Sequence, residues 1–168
     1  LYAEIVKPDA TPAARLANLD KWKGGYAQSE YAPERTKIYL ITYQQLNRHR
    51  EAFDIAAEIL KSDPNDQASV QEILGFIRAL MPQQANATLS AQNKADLDLA
   101  EKVARGLLAN PDALYGADKK PQGVADDAWA KTKPTMMNFA QFTLGYIGVT
   151  QKDLAKSEAE LTKTLQAD

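Results

Sequence analysis

The chain contains no cysteine and only a single histidine, His49. Without cysteine there can be no disulfide scaffold, no thiol nucleophile and no Cys-ligated zinc or iron–sulfur centre. A lone imidazole binds metal poorly, and no Ser–Asp partner pattern stands near it, so we interpret His49 as a packing or helix-capping residue. These absences remove the side chains on which many enzyme classes depend.

An excess of one charge and long apolar runs are also missing. The 168 residues carry 20 basic and 22 acidic side chains, which leaves a net charge of −2. Proteins that bind nucleic acid or anionic membranes usually show an excess of positive charge. No run approaches the ~18–20 apolar residues that a membrane span needs. We therefore predict neither nucleic-acid binding nor direct membrane insertion.

What the sequence does contain favours helices. Alanine (28) and leucine (18) far outnumber valine (5) and isoleucine (8), and the first two lose less side-chain freedom in a helix. Helical spacing of apolar residues predicts an all-α protein with helices at about 12–23, 33–46, 52–60, 66–81, 97–108, 126–146 and 154–165. Residues 82–93 and 111–123 are predicted loops, and Gly148–Lys152 a predicted turn. Pro134 is expected to kink or split its helix.

Two segments of the chain resemble each other. The segment REAFDIAAEILKSDPND at 50–66 aligns with DLAEKVARGLLANPD at 98–112. The alignment pairs Ala52 with Ala100, Ala56 with Ala104, and Ile59 with Leu107. Small residues at these positions would allow one helix to pack closely against its neighbour, while large apolar residues fill the groove between them.

This pattern resembles the tetratricopeptide repeat, a helix–turn–helix unit of 34 residues. Leu40 and Tyr43 match its helix A packing sites, Ala52 its small residue and Pro64 its terminal proline. The resemblance implies a right-handed α-solenoid of about three repeats after an N-terminal helix. It divides a single domain, 1–168, into the N-terminal helix and junction (1–32), repeat 1 (33–66), repeat 2 (67–112) with the inserted loop 82–93, a linker and helix extension (113–137), and repeat 3 (138–168). In repeat 3 the matching residues are Leu144, Gly145, Ser157 and Leu161.

The junction before repeat 1 carries a finer resemblance. Its sequence has Trp22, Tyr26 and then Ser29–Glu30–Tyr31–Ala32. It is similar to the junction of exported tetratricopeptide proteins of Gram-negative envelopes, although Ala27 stands where those proteins have proline. The resemblance implies a bacterial protein of the periplasm or cell envelope, whereas the absence of cysteine by itself is also compatible with a cytoplasmic protein.

Motifs that carry chemistry are scarce. The acidic residues Asp126, Asp127, Glu158 and Glu160 are interpreted as helix caps or solvated side chains rather than acid–base groups. The glycosylation sequon at 86–88 is a three-residue pattern that arises by chance, and no glycine spacing matches a nucleotide-binding loop. We predict no enzymatic activity, no metal site and no cofactor.

The remaining candidate is a binding surface. In tetratricopeptide folds helix A lines the concave groove, and this resemblance assigns the groove to Lys37, Ile41, Gln44, Gln71, Arg78, Phe139, Phe142 and Tyr146. The three aromatic residues could instead belong to the core. We predict a non-enzymatic scaffold that binds a protein or peptide segment in this groove. The alternative is a structural spacer or self-associating domain of a larger cell-envelope protein.

Overall fold

The computed structural model describes the backbone of residues 2–84 and 89–165, and this part of the chain is helical without a strand. The elements are α1 (Tyr2–Ile5), α2 (Pro12–Gly25), α3 (Ala32–Gln45), α4 (His49–Ser62), α5 (Gln67–Gln84), α6 (Ala91–Ala109), α7 (Asp112–Tyr115), a 3-10 turn (Ala117–Lys119), α8 (Asp126–Thr150) and α9 (Leu154–Leu165). The prediction of an all-α protein is confirmed. The solenoid arrangement stays a prediction, and the sequon at 86–88 lies outside the described residues.

Contacts divide the chain into two compact units, residues 1–72 and 73–168. In the first unit, Ile5, Leu19, Trp22 and Tyr39 form a buried apolar cluster that joins α1, α2 and α3. Leu16, Ile38, Tyr43 and Ile55 pack around this cluster. The apolar stripes recognised in α2 and α3 therefore face the core of the first unit.

Helices α3 and α4 form an antiparallel pair. A short turn joins them, in which Asn47 adopts a left-handed backbone conformation with φ of 54°. The small residues Ala52 and Ala56 are fully buried, and so are their counterparts Ala100 and Ala104 in the second unit. This burial agrees with the packing role that the internal repeat predicts. His49, by contrast, is exposed in the first turn of α4, so it does not pack in the core.

The loop predicted at 82–93 includes residues at both of its ends that are helical in the structure. Helix α5 continues to Gln84, and α6 already begins at Ala91. The early start of α6 has a local cause, because the Ser90 hydroxyl accepts a hydrogen bond of 3.1 Å from the Asn93 amide. Such a side-chain cap satisfies an amide that would otherwise lack a partner in the first turn.

The predicted loop 111–123 is also partly wrong. Pro111 has helical backbone angles (φ −64°, ψ −26°) and starts the short helix α7, in which Leu114 and Tyr115 are buried. The Trp129 indole then donates a hydrogen bond of 3.1 Å to the Gly116 carbonyl. Tertiary burial of two apolar side chains thus orders a stretch that is rich in proline and glycine.

Helix α8 runs without a break from Asp126 through Pro134 to Thr150, so the predicted split is wrong, and the turn predicted at Gly148–Lys152 begins three residues later than expected. Proline leaves the carbonyl four residues earlier without its helical partner. Here that carbonyl belongs to Ala130, which is exposed, and water can satisfy it. The turn comes later, at Gln151–Asp153, where Lys152 has a positive φ of 61°.

Helices α8 and α9 pack as a close antiparallel pair. The buried backbone of Gly148 lies against Ser157, and Gly145 lies against Leu161. Gly145 precedes Gly148 in α8, but its contact Leu161 follows Ser157 in α9, so the two helices run in opposite directions. The resemblance matched Gly145, Ser157 and Leu161 to positions of the repeat, and all three lie at this contact, whereas Gly148 was interpreted as a turn residue.

Candidate functional site

The first three predicted groove residues, Lys37, Ile41 and Gln44, lie on one face of α3. Their spacing of four and three residues places them on consecutive turns of the same side of the helix. Ile41 is 47% exposed, although it occupies the middle of a helix whose opposite side is buried. An exposed β-branched side chain with polar neighbours on both sides is therefore the centre of this face.

The polar residues on one side of Ile41 are tied to the start of α5. The Lys37 ammonium lies 2.8 Å from an oxygen of Asp66 and 3.5 Å from Asp63. The Gln44 amide donates a hydrogen bond of 2.7 Å to Glu72. These bonds hold the two side chains beside Ile41 and keep them from covering it.

The polar residues on the other side of Ile41 are tied to α1 and α2. Glu34 accepts a hydrogen bond of 2.8 Å from the Tyr2 hydroxyl, and Gln45 accepts one of 2.6 Å from Arg15. Ile41 thus lies between two rows of fixed polar side chains. We call this surface, centred on Ile41 and edged by Glu34, Lys37, Gln44 and Gln45, the α3 face.

The other five predicted groove residues are distributed between the two units. Gln71 belongs to the first unit and is exposed on α5. Arg78 belongs to the second unit, where its guanidinium lies 5.9 Å from the centre of the Phe142 ring. Phe139, Phe142 and Tyr146 are half-buried, and the rings of Phe142 and Tyr146 stack at 5.6 Å. The aromatic residues are thus neither fully core nor freely exposed.

Asp66 has two structural roles, because it caps α5 and pairs with Lys37. Its carboxylate accepts hydrogen bonds from the Ser69 amide (2.9 Å) and the Ser69 hydroxyl (2.7 Å). Burial by itself raises the pKa of the Asp66 carboxyl, but the hydrogen bonds from Lys37 and Ser69 outweigh burial and leave that pKa below its ordinary value.

We expect Asp66→Asn to lower the free energy of unfolding by about 0.5–1 kcal/mol at pH 7, since asparagine keeps the cap but loses the ion pair with half-exposed Lys37. The pKa of this carboxyl is lower in the folded than in the unfolded chain, where it is ~3.9. Its ion pair therefore stabilises the fold above that unfolded pKa, and this stabilisation is lost as the pH falls through the folded pKa. Urea unfolding at neutral and strongly acidic pH should show that the difference in the free energy of unfolding disappears in acid.

The control is Asp98→Asn, at an exposed position on α6, and it should change the free energy of unfolding little at either pH. An effect of Asp66→Asn that is independent of pH would contradict the ion-pair contribution.

Sequence reasoning missed a second site, a cavity of about 560 Å³ at the N-terminal end of the first unit. It is lined by Tyr2, Trp22, Tyr26, Ser29, Tyr31 and Glu34, and we call it the aromatic pocket. Its residues come from α1, α2, α3 and the turn between α2 and α3. In the sequence, the junction from Trp22 to Tyr31 indicated only a family resemblance. The three aromatic residues within these ten positions could have indicated a pocket.

A buried arginine, Arg35, contacts the residues that line the aromatic pocket. Arg35 donates hydrogen bonds to the backbone carbonyls of Tyr26 (2.9 Å) and Ala27 (3.2 Å), and so fixes the turn that carries the tyrosines. Its guanidinium lies 5.4 Å from the centre of the Trp22 ring. The edge of Tyr2 packs against the same indole, with ring centres 5.7 Å apart.

Two of the four acidic residues considered as acid–base groups, Asp126 and Glu160, have side-chain partners. Burial raises the pKa of Glu160, but hydrogen bonds from Lys163 and Gln141 outweigh burial and lower it, so the carboxylate is ionised at neutral pH. Asp126 is exposed and pairs with Lys120, whose hydrogen bond lowers the pKa of that carboxyl. Among the described residues, no three His, Asp or Glu side chains are grouped as metal ligands.

No helix in the described ranges combines the length and the apolar character required to cross a bilayer. The tetratricopeptide resemblance and the predicted export stay predictions. Comparison of this chain with family models, with curated proteins and with solved structures finds no match.

Proposed function

We propose that this chain is a non-enzymatic scaffold of the tetratricopeptide-repeat type that binds a protein segment along the α3 face. The observation that carries the proposal is the exposed side chain of Ile41 between two rows of fixed polar side chains. Protein interfaces commonly combine a central apolar contact with a polar rim. The α3 face has this arrangement.

The bonds at the edges of the α3 face support binding because they reduce its entropic cost. Ordering a flexible side chain during association costs about 0.5–1.5 kcal/mol. Lys37, Gln44 and Gln45 are already held by Asp66, Glu72 and Arg15 in the unbound chain. A partner segment would therefore meet polar side chains that already have bonded partners, which lowers the freedom lost on binding.

The state of the acidic groups favours binding over catalysis. A general acid at neutral pH needs a carboxyl whose pKa is raised. Glu160, the carboxylate most deeply buried among those considered, has a lowered pKa and bonds to Lys163 and Gln141. Its chemistry is that of a structural ion pair.

The test is a selection of peptides from a random displayed library against the whole chain, followed by binding measurements on the variant Ile41→Lys. We expect selected peptides to lose at least about tenfold in affinity, because a charged group replaces the central apolar contact. The melting temperature should change little, since exposed substitutions usually alter stability by less than about 0.5 kcal/mol. Isothermal titration and thermal denaturation monitored by circular dichroism measure the two quantities.

The matched control is Leu154→Lys, which makes the same kind of change at a leucine that is 72% exposed on α9. Reversing the charge of Lys37 is a poorer test, because it would bring a third carboxylate beside Asp63 and Asp66 and alter the fold itself. If no peptide is selected, or if selected peptides bind Ile41→Lys as tightly as the wild type, the spacer or self-association function becomes the better proposal.

A further inference from the structure

The aromatic pocket has tyrosine residues and one carboxylate that are exposed to solvent. Tyr26 is 65% exposed and Tyr31 is 54% exposed, so much of each ring can contact a ligand. Glu34 is the charged residue among those that line the pocket, and it accepts the hydrogen bond from Tyr2. The faces of aromatic rings carry partial negative charge, and the charge of a carboxylate is negative as well.

We propose that the aromatic pocket binds an organic cation, specifically an alkylated ammonium group. Such a group is poorly hydrated compared with a bare ammonium ion and is attracted to several ring faces at once, which is the physical basis of aromatic cages. The carboxylate of Glu34 adds direct charge complementarity. Choline-type head groups and methylated amines share this chemistry.

Arg35 already places a cation against the Trp22 ring, and its positive charge opposes a second cation at that ring. Its guanidinium already lies over the Trp22 ring and is bonded to two backbone carbonyls. Arg35 is buried, whereas Tyr26 and Tyr31 are exposed to solvent. We therefore expect the ligand to contact Tyr26, Tyr31 and Glu34, while the buried Trp22 lines the pocket.

The size of the pocket fits a cation with an attached chain. Small-molecule sites usually have volumes of about 300–1,000 Å³. The cavity of about 560 Å³ is within this range and exceeds what a trimethylammonium group alone requires. A neutral sugar would also contact aromatic rings and could donate hydroxyl hydrogen bonds to Glu34, but neither a sugar nor a proline-rich segment would gain the attraction between opposite charges that a cation gains there.

The experiment compares choline with 3,3-dimethyl-1-butanol, a neutral molecule of nearly the same shape, by NMR titration of the whole chain. We expect choline to shift the resonances of Tyr26, Tyr31 and Glu34, and to bind at least about tenfold more tightly than the neutral analogue. Glu34→Gln and Tyr26→Leu should each weaken choline binding about three- to tenfold. Tyr26→Phe should retain it, because the ring and not the hydroxyl makes the contact.

Glu58→Gln is the matched control, since it removes the same charge from an exposed position on α4 of the same unit. Its choline affinity should equal that of the wild type. Equal affinity for choline and the neutral analogue, absence of choline binding, or loss of binding in Tyr26→Phe would each overturn the proposal. The proposal does not depend on the binding of a protein segment at Ile41, and the two are tested with different probes and different variants.

Discussion

The variant Gly148→Ala should have a free energy of unfolding about 1–2 kcal/mol below that of the wild type, although alanine is the better helix former. A Cβ atom built on Gly148 would lie 2.7 Å from the Ser157 amide nitrogen and 2.9 Å from its Cα. Backbone atoms cannot rotate aside as a side chain can, so α9 would have to move away from α8. Overpacking of this kind costs about 1–3 kcal/mol, occasionally more, and the gain of about 1 kcal/mol in helix propensity offsets only part of that cost.

Gly106→Ala is the matched control for this prediction. Gly106 also lies within a helix of the second unit, and a Cβ atom there would meet no atom within 4 Å. We expect this variant to be more stable than the wild type by about 0.5–1 kcal/mol, because only the propensity difference remains. Thermal and urea denaturation measure both variants. Equal stability of Gly148→Ala and Gly106→Ala would show that the α8–α9 contact is looser than described.

A second large effect is expected for Ala56→Leu and Ala104→Leu, each of which should lower the free energy of unfolding by about 1–3 kcal/mol. Both alanines are fully buried, Ala56 on α4 and Ala104 on α6. Three additional carbon atoms have no space there, so the larger side chain must separate packed helices or adopt a strained rotamer.

The matched controls are Ala17→Leu on α2 and Ala95→Leu on α6, where alanine is exposed. These changes add the same atoms in water, and we expect the free energy of unfolding to change by less than about 0.5 kcal/mol. Urea denaturation of all four variants provides the comparison. If the buried and exposed substitutions have equal effects, the packing role assigned to the repeated alanines is wrong.

Much of the secondary structure follows from local rules that can be read in the sequence. Thr11 followed by Pro12 predicts the start of α2, and the Thr11 hydroxyl does accept a hydrogen bond of 3.2 Å from Ala14. Asp66 predicts the start of α5 for the same reason. Capping depends on residues within one turn of each other, so sequence order is sufficient to find it.

The errors in secondary structure arise where distant residues supply the stabilisation. Pro111 and the glycines after it indicate a loop, but Leu114 and Tyr115 are buried and Trp129 bonds to Gly116. Gly148 indicates a turn by its residue type, whereas its lack of a side chain is needed for contact with Ser157. A local pattern cannot distinguish a glycine that ends a helix from one that admits a neighbouring helix.

The same distinction holds for the candidate sites. Spacing along one helix was sufficient to place Lys37, Ile41 and Gln44 on one face, because helical periodicity is a property of the sequence itself. Only the tertiary structure decided that Ile41 is exposed while its polar neighbours are tied to other helices. It alone also brought Tyr2 and Glu34 to the tyrosines of the α2–α3 turn. Residues more than 30 positions apart meet through the packing of whole helices, and the free energy of that packing is distributed over the core rather than recorded in any short motif.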